Sequence, residues 1–137
     1  MKIKLDNGAY MPERAHEADA GYDLRSPITD RLYAGQAITI DTGVHVEIPR
    51  GYVGMLKSKS GLNVKHDIVG EGVIDSGYTG SIRVKLYNHG AESYMIEQGD
   101  KISQLVILPI ITPELELVDK LEETERGANG FGSSGKR

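Results

Sequence analysis

A chain of 137 residues with 16 Lys and Arg against 20 Asp and Glu, net charge −4, is long enough for one domain with a true core and lacks the basic footprint that long nucleic acid demands. It contains no cysteine, which excludes a disulfide framework or thiolate metal site and makes a reducing cytoplasm the simplest home. No run of about 18 apolar residues is present to span a membrane, and the N-terminus is too polar for a signal-peptide core.

Taken from the N-terminus, Ala18-Asp19-Ala20-Gly21-Tyr22-Asp23-Leu24 sets two acids around a Gly-Tyr pair. Residues 37–41 place Ile38 and Ile40 on one face, and residues 44–48 do the same with Val44, Val46 and Ile48, as half-buried strands require. Pro49-Arg50-Gly51 breaks the chain before an apolar run at 52–56. A short helix is expected at 60–65, with Ser60 as its N-cap. Residues 70–88 read as a hairpin-like unit: Val73-Ile74, then the turn chemistry of Asp75-Ser76-Gly77, then alternation from Ser81 to Leu86. Tyr94-Met95-Ile96 and a turn at 98–100 follow. Residues 102–111 are almost continuously apolar, the pattern of a strand covered on both faces. Glu114-Leu115-Glu116-Leu117 alternates and reads as one more strand. Many short strands separated by Gly and Pro turns predict an all-β sandwich or barrel without internal repeats. The last segment, 127–137, is small, polar and glycine-rich except for Phe131, the only Phe in the chain, and has the composition of a mobile tail.

Several stretches suit chemistry on a phosphorylated ligand. Gly130, Gly135 and Lys136 match part of a phosphate loop, but Arg137 replaces the hydroxyl residue and no helix follows, which removes a P-loop nucleotidase. The tail's backbone N–H groups and hydroxyls can still wrap phosphate oxygens, and Phe131 can stack on a flat base. Lys57-Ser58-Lys59-Ser60-Gly61 is a second polar cluster beside the expected helix start. Asp23 has the hard oxygens that suit a magnesium-bound water, or fixes a turn. The four histidines are scattered without metal-ligand spacing, so no zinc site is assigned. Asp75, with Tyr78 three residues on, closes a turn or does more.

In this order the stretches resemble the five motifs of the trimeric dUTP pyrophosphatase (dUTPase) family over nearly the whole chain. The first motif is similar to Ala20-Gly21-Tyr22-Asp23-Leu24, and the second to Lys59-Ser60-Gly61-Leu62. The third runs from Gly72 to Gly80, the fourth from Gly99 to Leu105, and the fifth from Arg126 to Gly135. The resemblance implies a jelly-roll-like distorted β barrel at 1–125, a C-terminal lid at 126–137, and a homotrimer with active sites shared between subunits. It implies hydrolysis of dUTP to dUMP and pyrophosphate with Mg²⁺, which keeps uracil out of DNA and supplies dUMP for thymidylate synthesis. By the same resemblance Asp75 is the general base, and Tyr78 packs under the deoxyribose against a ribose hydroxyl. The backbone around Gly72 to Tyr78, with Gly72, Val73 and Ile74 among the substrate contacts, reads the uracil edge, and Asp23 holds magnesium through water. Lys59, Ser60, Gly61 and Gln104 contact phosphates. Phe131 stacks on uracil, and Arg126, Gly132, Ser133 and Ser134 close over the phosphates. Three positions depart from the pattern: Lys59 for Arg, a point charge without a fork; Asn129 for Gly; and Ser134 for Thr. Among enzymes, a dCTP deaminase shares the fold but needs a general-base Glu in a different motif setting. A non-catalytic binding module would retain the pocket alone. Phage members of the family also act through regulatory protein partners.

Overall fold

The computed structural model describes residues 1–130 and is all-β apart from one short helix. Its central sheet is antiparallel and has the order β2 (Gly21–Arg25), β11 (Lys101–Pro109), β6 (Tyr52–Lys57), β8 (Gly72–Ile74). A second sheet orders β4 (Ala37–Asp41), β9 (Arg83–Asn88) and β7 (Ile68–Val69). Two smaller pairs complete the body: β1 (Lys2–Leu5) with β5 (Val44–Glu47), and β3 (Asp30–Leu32) with β10 (Tyr94–Ile96).

Alternation explains most of the packing. Along β9 Val84, Leu86 and Asn88 are buried while Arg83, Lys85 and Tyr87 face out, and Ile82 just before the strand is fully buried. Val44, Val46 and Ile48 turn inward beside Ile40, as the sequence pattern requires, and meet Leu24, Leu56 and Leu105 of the central sheet in one core. Burying one such aliphatic side chain stabilises the fold by about 1.5–3 kcal/mol. Buried Asn88 is satisfied through bonds from its amide nitrogen to the carbonyls of Leu32 and Glu92.

Four expectations are corrected. The 70–88 segment is not a hairpin: β8 pairs with β6, β9 pairs with β4 and β7, and residues 75–82 carry the chain from one sheet to the other. Helix α1 spans Ser60–His66, and its N-cap is Lys59, whose extended backbone precedes Ser60 as the first helical residue. β11 is buried at Ile102, Ser103 and Leu105 but emerges to solvent from Leu108 onward, so only its first half is covered on both faces. Residues 114–117 form no strand, and Leu115 and Leu117 are 97% and 100% exposed.

Candidate active site

The site residues fall into two groups held at different levels of the central sheet. The first surrounds a cleft of about 250 Å³ lined by Val73, Ile74, Asp75, Tyr78, Ser81 and Arg83. Among the described residues β8 is the outer strand of its sheet, bonded only to β6, which leaves one backbone edge of Gly72–Ile74 open to pair with a ligand. Asp75 leaves the strand into a turn closed by the Tyr78 amide donating to the Asp75 carbonyl at 3.2 Å, with Gly77 at φ +92°. The Tyr78 hydroxyl donates to the Ser81 carbonyl at 3.0 Å. This folds the ring back across Gly80, where a Cβ would lie 2.6 Å from Tyr78 Cζ. Glycine at 80 is therefore what lets the ring lie flat along its own loop. Behind the cleft, the Ser81 hydroxyl donates to Asp41 on β4, and Arg83 Nε stands 3.4 Å from the same carboxylate. The hydroxyl bond, with the Gly43 amide, holds the Asp41 carboxyl below the usual carboxylate range.

The second group forms a row across the sheet. Asp23 on β2 pairs in register with Gln104 on β11, and Gln104 with Lys57 on β6; Lys57 reaches Glu71 just before β8 at 2.5 Å. The Gln104 amide donates to the Ser58 carbonyl at 3.1 Å, and its side chain lies over Gly21, where a Cβ would stand 3.0 Å from Gln104 Cβ. Any larger residue at 21 displaces Gln104. The Ser58 hydroxyl donates to the Gly70 carbonyl and accepts from the Gly70 amide, tying the α1 approach to the β8 approach. Asp23, 5% exposed, lies between Lys59 and Lys101, the latter at 2.6 Å. Burial pushes its carboxyl up, but bonds from Lys101 and then Lys59 outweigh this and leave it below the usual range.

The structure thus brings Asp23, Lys59 and Gln104 together, with Ser60 and Gly61 opening α1 alongside. It also gathers Val73, Ile74, Asp75 and Tyr78. It does not bring the two groups to one point. Ile74, the last residue of β8, pairs with Gly54, three residues along β6 from Lys57, and Asp75 follows it into the turn. At about 3.3 Å per residue three residues are ~10 Å. Among the described residues Arg126 bonds only its own turn, through the Asn129 carbonyl at 3.1 Å. Phe131, Gly132, Ser133 and Ser134 lie outside the described residues. Sequence reasoning passed over Lys101, Ser81 and Arg83. Lys101 was within reach, as the cation slot beside Gln104, but its partner becomes visible only once β2 and β11 pair.

The model of the dUTPase family matches residues 7–135. The chain belongs to the dUTPase family. A deoxyuridine 5'-triphosphate nucleotidohydrolase of Escherichia phage T5 is 44% identical over 147 residues, covering 100% of this chain and 99% of that protein. A dUTPase of Staphylococcus bacteriophage 80alpha in complex with dUpNHpp superimposes with TM-score 0.92 at 40% identity, covering 98% of this chain and 97% of that one. That protein is described among phage dUTPases controlling transfer of virulence genes by a proto-oncogenic G protein-like mechanism. The dUTPase of S. aureus phage phi11, described with a structural Mg(II) ion, matches with TM-score 0.82 at 37% identity, covering 89% of this chain and 98% of that one.

Among the described residues of this family member, no three Asp, Glu, His or Cys side chains are grouped to hold a metal. Asp23, the acid at the first motif, already faces two ammonium groups. A dication there would sit among like charges, so the residues as placed do not fit a protein-held magnesium ion.

Proposed function

We propose that the chain hydrolyses dUTP to dUMP and pyrophosphate. The observation that carries this reading is the cleft in which a free strand edge, an aromatic ring and a carboxylate converge. The free N–H and C=O groups of Gly72–Ile74 match the alternating donors and acceptors of a uracil edge. The Tyr78 ring is a wall for the deoxyribose, against which a 2′-hydroxyl would clash. Asp75, exposed at the rim, takes a proton from a water as that water's oxygen bonds to the α-phosphorus. The bond from that phosphorus to the bridging oxygen breaks, and pyrophosphate leaves with the electron pair. General-base assistance of this kind contributes typically 10²–10⁴-fold.

The leaving pyrophosphate carries the developing charge and needs cations and donors. On this reading they come from the Asp23 row: Lys59, Gln104 and the start of α1 at Ser60 and Gly61. Magnesium arrives as part of the substrate, on the triphosphate oxygens that a hard cation prefers. The ~10 Å along β6 between the end of β8, where Asp75 follows, and the row favours a site assembled from two copies in a homotrimer. Residues 126–137 serve as the lid, with Phe131 over the base and Arg126, Gly132, Ser133 and Ser134 at the phosphates. Asp75→Asn keeps the shape of the turn and removes the base. Pyrophosphate release from dUTP should fall by about 10²-fold or more while nucleotide binding persists; turnover at the unmodified rate would refute the assignment. The same assay with dCTP and UTP separates this activity from deamination, which releases ammonia, and from a pocket that only binds.

A further inference from the structure

We propose that His45, as an imidazolium, is a positioning residue that clasps the turn at 75–80 to the N-terminal segment, so that the cleft loosens when His45 loses its proton. His45 lies on β5, outside the cleft and outside the row of phosphate-side residues. Its Nδ1 faces the Thr79 carbonyl oxygen at 2.7 Å, and its Nε2 faces Asp6 Oδ2 at 2.9 Å. A carbonyl and a carboxylate can only accept, so both ring nitrogens must donate, and only the doubly protonated ring does that. Thr79 sits between Tyr78 and Gly80, in the stretch whose geometry sets the Tyr78 ring and the Asp75 turn. Further along the chain the Ser81 hydroxyl donates to Asp41, and the Ile82 amide donates to the Val44 carbonyl at 2.8 Å, one residue from His45. The clasp therefore holds the near half of the loop, and the Ser81 and Ile82 bonds hold the far half.

The surroundings favour the charged ring. Asp6 faces it from the segment after β1, and Lys4 on β1 reaches the other Asp6 oxygen at 3.0 Å. Lys2 and Glu47, which pair with each other at 3.0 Å, line the same groove of about 370 Å³. From the 75–80 loop only the Thr79 carbonyl faces the ring among the described residues. The Asp6 bond, then the Thr79 carbonyl, raise the imidazolium above its ordinary value, while His45 and then Lys4 lower Asp6 below the usual carboxylate range. The clasp is complete below the ordinary His range and is lost as pH rises through the raised value. On deprotonation the remaining N–H stays with the carboxylate, the stronger acceptor. A lone pair of Nδ1 is then left against the Thr79 carbonyl, and the contact becomes repulsive.

The inference rests on the reading that places Asp75 and Tyr78 at the reaction, and the test separates the two. The imidazole resonances of His45 give its titration midpoint, amide hydrogen exchange at Tyr78 and Ile82 reports the loop, and kcat/KM for dUTP is followed across the same pH range. In the unmodified protein, loop protection and kcat/KM should both fall by about three- to tenfold, the worth of one net hydrogen bond, at the His45 midpoint. His45→Gln should abolish that transition, and Asp6→Asn should move it to lower pH. A transition that survives in His45→Gln, or a midpoint that Asp6→Asn leaves in place, overturns the proposal. If Asp75→Asn retains full turnover but loop exchange still follows His45, the clasp stands and only the assignment of the base falls.

Discussion

Tyr78 and Gly80 show how one position can set another's chemistry without touching substrate. The ring is surface material, 46% exposed, held by one hydroxyl bond and by the absence of a side chain at 80. A methyl at 80 meets the end of a flexible side chain rather than backbone, so the ring swings aside and the fold tolerates the change. Gly80→Ala should therefore leave thermal stability nearly unaltered while Tyr78 leaves the place proposed for it as the sugar wall. The kcat/KM ratio of dUTP to UTP should drop by roughly tenfold or more, the range of a one-methylene misfit, and Tyr78→Ala should lower it similarly. Unchanged discrimination in Gly80→Ala would mean that the ring acts from some other position, or not at all. Gly21 under Gln104 follows the same logic on the phosphate side, with the difference that the displaced amide also gives up its bond to Ser58.

At the level of elements, pairing β2 with β11 is what buries Asp23 between two lysines, and the sheet depends on that charge in return. Asp23→Asn keeps the volume but leaves Lys59 and Lys101 facing each other without a counter-charge. Because those lysines are 26% and 38% exposed, water can recover part of the loss. The expected destabilisation is about 2 kcal/mol, the scale of hydrogen bonds to a charged group. The pH dependence has a definite sign. Asp23 has its carboxyl lowered in the folded state, so its contribution is fully present above the ordinary Asp value, about 3.9. It is lost as pH falls through the lower folded value. Denaturant melts should show a constant gap between the unmodified protein and Asp23→Asn from pH 7 down to about 4, closing below that; a gap that widens in acid would contradict the ion-pair account. The elements themselves differ in how readable they were. β4, β5 and β9 announce themselves because each alternates over several residues against one core, and β6 because an apolar run follows the break at 49–51. β1, β3 and β7 have two to four residues and at most one buried side chain apiece, too few for a period to register. The hairpin reading of 70–88 failed because turn chemistry at 75–77 says that the chain reverses, not which strand it reverses onto. Motif order nominated the candidate site residues one by one, but the gap between Ile74 and Lys57 is a property of register, and no spacing in the sequence displays it.

For the whole molecule, residues 110–130 are the part that one chain cannot explain. Ile111, Leu115, Leu117 and Leu121 are 80–100% exposed, and an alternating apolar stretch that reads as a strand has no partner among the described residues. A pattern of this kind specifies burial, and burial against another copy satisfies it as well as burial at home. The separation of Asp75 from Lys59 makes the same demand, since a nucleotide needs a base and phosphate donors at once. Mixing two impaired variants tests both. Asp75→Asn and Lys59→Ala each spoil every site when expressed alone. If a site takes Asp75 from one chain and Lys59 from another, random trimers from an equal mixture contain about one quarter of sites with both residues intact. Unfolding and refolding the mixture should then restore about a quarter of the unmodified rate above the sum of the two variants, and light scattering should give the mass of three chains. Refolded mixtures that show only the average of the separate rates would place the whole reaction within one chain, and the exposed residues of 110–130 would need a different occupant.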